Sequence, residues 1–192
     1  MPTPNPQAFD FLTTRRSRPA KTLTTPVPSA EELTPLLRAA ARTPDHGKLE
    51  PWRFIVIEKA AMARLADIAE ARGKQLGLAE EQVDKGRGQF DQGHLAVAVI
   101  EVQKPSEKIP SLEQTYSAGA VCLALLNAAL TSGWGANWLS GWPSHDRGFM
   151  QEALGLDNHE RIAGLIHIGT ETSTPPDRPR PDLDSITTWM PE

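Results

Sequence analysis

The sequence predicts a mixed helix-and-strand fold of class α+β, one domain over residues 1–192 with residues 171–192 as a C-terminal arm. Three observations bear on this. Helical periodicities alternate with short Val/Ile-rich runs, in the order helix, helix, strand, helix, strand, helix, strand, helix, strand, arm. A length of 192 residues suits one domain with a sizeable core. Leu, Ile, Val and Phe make up about a fifth of the chain, and the net charge of −4 is too small to keep such a chain unfolded. The alternation alone would suit a doubly wound parallel sheet. The choice of α+β rests on motifs met further along. The core is lean in large side chains and rich in Ala, which suggests that a second subunit completes the burial.

Asn5-Pro6 reads as N-cap and first residue of a short helix carrying Phe9 and Leu12 on one face. It runs into Arg15-Arg16-Ser17-Arg18, which Pro19 ends. Ser29 to Glu32 is a capping box, followed by Leu33, Leu36, Leu37 and Ala40 at helical spacing up to about Arg42. Asp45 to Pro51 is loop by composition, and Phe54–Ile57 a buried strand. Ala60–Leu78 is helical, with Glu80–Lys85 continuing it past Gly77. The run LAVAVIEV within His94–Gln103 is a second strand. Ser111 to Gln114 reads as another capping box, opening a long helix that stops at Gly133. Trp134–Gly141 is a strand with an irregular end, Ser144–Leu154 a short helix closed by Gly155, and Arg161–Gly169 the last strand. Ser173–Pro181 is an extended proline-rich arm whose end presents Ile186, Trp189 and Met190.

Several function classes drop out. The single Cys122 allows no internal disulfide and no cysteine-based zinc site. The N-terminus lacks the apolar core of a signal peptide, and Ala118–Leu130 is too short to span a membrane, so a cytoplasmic protein is expected. A pI near 5.8 argues against general nucleic-acid binding. There is no phosphate-binding P-loop and no G-x-S-x-G elbow. The glycines from Gly86 to Gly93 miss the dinucleotide-binding spacing and precede a strand instead of following one.

Four features remain as candidates. Arg15-Arg16-Ser17-Arg18 suits a solvated charge run, a nucleic-acid arm or a phosphate site; two guanidinium forks beside a hydroxyl match the needs of a terminal phosphate. Asp45, His46 and Glu50 share one loop, and ligand contact or a structural histidine suits them better than a metal, so no metal is expected. Cys122 sits mid-helix among apolar residues as a core filler. Trp134 to Trp142 holds three of the five tryptophans with glycines between, as packing or as backbone approach to a flat heteroaromatic ligand.

Taken in order, Arg15-Arg16-Ser17, RTPDHGKLEPWRF (42–54), SAGAVCLALLNAAL (117–130), GWGANWLSG (133–141) and GLIHIGT (164–170) resemble the FMN-dependent nitroreductase family, in its compact branch. That resemblance implies an α+β sandwich, a mostly antiparallel central sheet flanked by helices, assembled as an intertwined homodimer with FMN at the interface. It implies that Arg15, Arg16 and Ser17 hold the FMN phosphate and the polar edge of the ring. By the same resemblance, Arg42 and His46 reach the partner subunit's flavin, and Trp138, Leu139 and Ser140 offer backbone donors and packing. The segment Ala128, Ala129, Leu130, Thr131, Ser132 and Gly133 is implied to meet the nicotinamide nucleotide. Leu139 stands where close relatives often carry Arg. The implied activity is NAD(P)H-dependent, FMN-mediated reduction of nitroaromatic or quinone-like acceptors by a ping-pong route, the flavin carrying the chemistry so that no catalytic side chain is named. An FMN enzyme of other chemistry (flavin fragmentation, dehalogenation, dehydrogenation) and a non-catalytic flavin-binding module are the alternatives.

Overall fold

Helix α1 (Pro6–Thr14) opens the computed structural model, which describes residues 3–191. The ends of the expected domain span, residues 1, 2 and 192, lie outside the described residues. The Asn5 side chain accepts the Ala8 N–H (3.1 Å), as its position before Pro6 requires. A two-residue strand β1 (Leu23–Thr24), not foreseen in the sequence, precedes α2 (Ala30–Ala40). The capping box of α2 is complete: Ser29 Oγ accepts the Glu32 N–H and Glu32 returns the favour to the Ser29 N–H. Then come β2 (Trp52–Glu58), α3 (Lys59–Gln75), α4 (Glu80–Asp91) and β3 (Leu95–Val102). The chain closes with α5 (Ser111–Thr131), β4 (Gly135–Leu139), α6 (Arg147–Leu154), β5 (Glu160–Glu171) and a short α7 (Leu183–Ile186).

Every strand pairing is antiparallel, as the α+β expectation holds. β5 is central, with β3 and then β2 on one side and β4, extended by β1, on the other. The alternation of helices and strands misleads for two reasons. Between β2 and β3 the chain forms two helices, not one, turning at Gly77 (φ +67°), so it returns antiparallel to where it left. β3 and β4, joined by the single helix α5, do run the same way, but β5 is inserted between them and opposes both. β3 is buried along its whole length because helices cover both faces, which is why it reads as an unbroken apolar run.

One layer packs Met62, Leu65, Ala66, Phe90 and Phe149 from α3, α4 and α6 against Ala98, Ile100 and Leu165. The other packs Leu33 and Leu36 of α2 and Val121, Cys122 and Leu125 of α5 against Val97, Val99 and Ile166. Burial pushes the Cys122 thiol up to about 12, so it is an inert core filler.

Several local expectations need correction. α4 does not end near Lys85 but runs through Gly86 and Gly88 to Asp91. Gly86 is where the Trp142 ring lies against the helix backbone: a Cβ there would sit 2.6 Å from Trp142 Cε2, and Trp142 Nε1 donates to Gln82 O (2.9 Å). Ser111 caps nothing; Pro110 occupies the cap position, and the buried Gln114 amide instead pairs with the Lys104 N–H (2.8 Å) and carbonyl (2.9 Å). α6 starts at Arg147, capped by Asp146 accepting the Phe149 N–H, while Ser144 belongs to a preceding 3-10 turn. β2 lies at the sheet edge, so only Ile57 of its residues is fully buried. Gly133 (φ +85°) and Gly155 (φ +66°) stop α5 and α6 as expected, with the Trp134 N–H reaching back to Ala129 O (3.1 Å).

Candidate functional site

The extended segment after α1 is tied to the sheet by the Arg18 N–H, which donates to Ala136 O of β4 (2.8 Å). This brings the arginines beside the strand that carries Asn137, Trp138 and Leu139. Arg15 Nη2 donates to Ser17 Oγ (3.0 Å), and its Nε is buried without a partner. Arg16 donates to the Pro176 carbonyl and to Asp177 Oδ1 (3.3 Å), and Arg18 to the Glu171 carboxylate and to Arg16 O (2.9 Å). Burial lowers the Arg15 pKa, helped by the positive charges of Arg180, Arg16 and Arg18. Cations this crowded favour an anion among them.

A cavity of about 640 Å³ opens beside this cluster, within the ~300–1,000 Å³ range of small-molecule sites. The N-terminal segment contributes Arg16, Ser17, Pro19 and Lys21; β4 contributes Asn137 and Leu139; the arm contributes Pro175. The remaining wall is α4, through the acids Glu81 and Asp84 as well as Lys85, Gly88, Gln89 and Gln92. Gln89 Oε1 is buried with no donor, and its amide fills the space a Cβ on Gly141 would need. The α4 residues, Lys21 and Asn137 carried no local signal in the sequence. Gly88 and Gln89 reach the cavity because α4 runs past Gly86, while Lys21 and Asn137 come from the N-terminal segment and β4.

Arg16, Ser17 and Leu139 therefore share one cavity. Arg15 and Arg16 also line a smaller one, of about 360 Å³, together with Leu130, Gly133 and Trp134 at the end of α5. In the rest of that segment, Ala128 is half-buried, Ala129 is sealed in the core, Ser132 is exposed and Thr131 hydrogen-bonds back to Asn127 O (2.9 Å). His46 lies elsewhere, in a cavity of about 570 Å³ with Asp45, Glu113 and Tyr116, its Nδ1 2.6 Å from Glu113 Oε2. Arg42 is exposed just beyond α2. Trp138 turns to the α5 side of the sheet and lies over Gly164, and Ser140 Oγ is 3.1 Å from His145 Nε2. Within one chain, then, Arg42 and His46 stand apart from the arginine cavity. Among the described residues no three His, Cys, Asp or Glu gather as a metal site, and no helix is long and apolar enough to cross a membrane.

Two buried acids belong to the scaffold. Arg53 grips Glu160 through two hydrogen bonds (2.6 and 2.9 Å), which holds its carboxyl down to about 2 against the cost of burial. Burial pushes Glu101 up, but hydrogen bonds from Arg161, Thr115 and Gln103 outweigh it and leave the pKa lowered.

Residues 12–170 match the family model described as Nitroreductase family. A Haemophilus influenzae protein named "Putative NAD(P)H nitroreductase" is 36% identical over 165 residues, which is 85% of this chain and 88% of that one. Among solved structures, a nitroreductase-like family protein from Bacillus cereus superposes with a TM-score of 0.80 at 24% identity, covering 99% of this chain and 98% of its own. A Desulfovibrio desulfuricans structure in complex with FMN gives a TM-score of 0.75 at 22% identity, over 98% and 99% of the two chains.

Proposed function

Because the chain belongs to the nitroreductase family, we propose that it is an FMN-dependent oxidoreductase acting from NAD(P)H on nitroaromatic or quinone-like acceptors. The observation that carries this is the cavity where Arg16, Ser17 and Lys21 stand against apolar Pro19, Leu139 and Pro175, with the amides of Gln89 and Asn137 between them. Cations and a hydroxyl suit a phosphate, and apolar walls suit a flat ring. The buried, donor-less Gln89 Oε1 suits a ligand that brings an N–H, as a flavin does. The FMN complex of the Desulfovibrio desulfuricans neighbour supports the same choice.

Bound FMN would supply the hydride-transfer chemistry that links NAD(P)H to the acceptor. The chain's own residues bind and position. Arg16 and Ser17 would hold the phosphate, with Arg15 orienting Ser17 through its 3.0 Å hydrogen bond. Leu139 and Pro19 would keep water from the ring, with backbone donors of Leu139 and Ser140 on the strand end beside them. Trp138 acts by packing this strand end onto Gly164. Leu130 and Gly133 share the second cavity with Arg15 and Arg16, which supports a role for the end of the segment 128–133 in meeting the nicotinamide nucleotide.

The working form in this reading is a cytoplasmic homodimer. The exposed Phe9, Leu12, Leu112, Tyr116, Trp189 and Met190 supply the apolar area to be buried, and Arg42 and His46 complete the partner subunit's flavin site across that interface. The test is anaerobic oxidation of NADH or NADPH by the FMN-loaded protein, with and without a nitroaromatic acceptor. Alternating substrates on one face give parallel double-reciprocal lines. Loaded protein that oxidises neither nucleotide sinks the catalytic reading.

A further inference from the structure

Asp177 stands on the C-terminal arm, directly against the candidate phosphate anchor. Its Oδ1 accepts from Arg16 Nη1 (3.3 Å), from Arg180 Nη2 (3.2 Å) and from the Arg178 N–H (2.8 Å). The neighbouring Pro176 carbonyl accepts from the same Arg16 nitrogen, and Pro175 lines the same cavity as Arg16 and Ser17. The arm therefore delivers the Asp177 carboxylate to Arg16, while Glu171 at the arm's start pairs with Arg18 of the same cluster. Those cations are close-set, since Arg180, Arg16 and Arg18 all add to the lowering of the Arg15 pKa.

The pair does not look like a structural lock. Arg53–Glu160 shows what a lock is in this protein: two short hydrogen bonds onto a carboxylate only 7% exposed. Arg16–Asp177 has one long contact, with the arginine side chain sheltered at 19% exposure and the aspartate open at 82%. A carboxylate so exposed is rehydrated easily when it leaves, whereas the sheltered guanidinium needs an anion in its place.

We propose that Asp177 is a resident counter-ion of Arg16 that the FMN phosphate displaces, so that this arm residue sets how strongly the phosphorylated flavin is preferred over the unphosphorylated one. The proposal rests on the FMN reading above. Binding then exchanges one carboxylate for a phosphate of higher charge on the same nitrogen, and Asp177 lowers FMN affinity while leaving riboflavin alone.

The test titrates FMN and riboflavin into the flavin-free full-length chain at low salt, following flavin fluorescence, for wild type, Asp177→Asn and Asp182→Asn. Asp182→Asn changes the net charge equally and lies in the same arm, where Asp182 caps α7 instead of meeting Arg16. The expected result is FMN binding two- to fivefold tighter in Asp177→Asn, the ceiling for displacing an exposed ion pair, with riboflavin and Asp182→Asn unchanged. The gain shrinks as salt rises. Unchanged or weaker FMN binding in Asp177→Asn overturns the proposal, since a residue that orients Arg16 for phosphate would weaken it. Equal gains for riboflavin, or in Asp182→Asn, also overturn it, by showing a general charge effect. Wild type that binds no FMN overturns the FMN reading itself, and this proposal with it.

Discussion

Replacing Arg16 by Ala separates the phosphate role of the N-terminal cluster from a structural one. The side chain is sheltered, lines the large cavity beside Ser17 and, among the described residues, makes its hydrogen bonds only to the arm, at Pro176 and Asp177. Its loss leaves α1, β4 and the Arg15–Ser17 hydrogen bond in place, so the melting temperature should stay within about 2 °C of wild type. A charge-assisted hydrogen bond contributes about 1.5–3 kcal/mol, which makes FMN binding roughly 10- to 150-fold weaker. Release of Asp177 makes the lower half of that range the expected one, because the departing arginine no longer has to give up a partner. Riboflavin, lacking the phosphate, should bind variant and wild type within about twofold. The assay is fluorescence quenching of both flavins by flavin-free protein, with thermal unfolding alongside. Equal weakening of both ligands would refute the phosphate assignment in favour of a structural role. No weakening of either would return Arg16 to the status of a solvated charge.

The protein should sediment as a dimer of 21.0 kDa chains, with more than about 2,000 Å² buried in total; a stable folded monomer would rule out the shared site for Arg42 and His46. His167, buried with an unpartnered Nε2 and pushed by burial down to about 4, stays neutral in the fold while the unfolded chain takes up a proton near pH 6.5. His167 should therefore contribute a loss of about 2–3 kcal/mol as the pH drops from 6.5 to 4, and His167→Gln should make the stability slope in urea titrations across the window shallower by that amount. An unchanged slope would show that His167 is not the group responsible.

The parts of the fold legible in the sequence are those set by neighbours along the chain. Asn5-Pro6, the Ser29/Glu32 box, and the stops at Gly133 and Gly155 each work within one helical turn, and each is present in the structure. The Ser111 box shows the limit of such signals. Its Gln114 is drawn off by the backbone of Lys104, a partner ten residues away that local pattern cannot reveal. Gly86 and Gly88 look like helix breakers, yet Gly86 is where Trp142, more than fifty residues on, lies against α4. α4 runs on past that contact, which puts Gly88 and Gln89 on the cavity that Arg16 lines. The arginine–serine half of the candidate site was therefore readable, and the α4 wall and Asp177 were not, because long-range packing alone brings them there. The antiparallel sheet was likewise hidden in the alternation, since β5, the last strand made, inserts between β3 and β4.

The claim that this cavity holds FMN is tested most directly by purifying the full-length protein and recording its visible spectrum before and after denaturation. The expected result is a yellow protein with flavin absorbance, whose flavin is released on unfolding and identified as FMN by chromatography. If it purifies without flavin, it should take up FMN on titration at micromolar concentration. A colourless protein that gains no flavin under those conditions would contradict the assignment of Arg16, Ser17 and the cavity beside them.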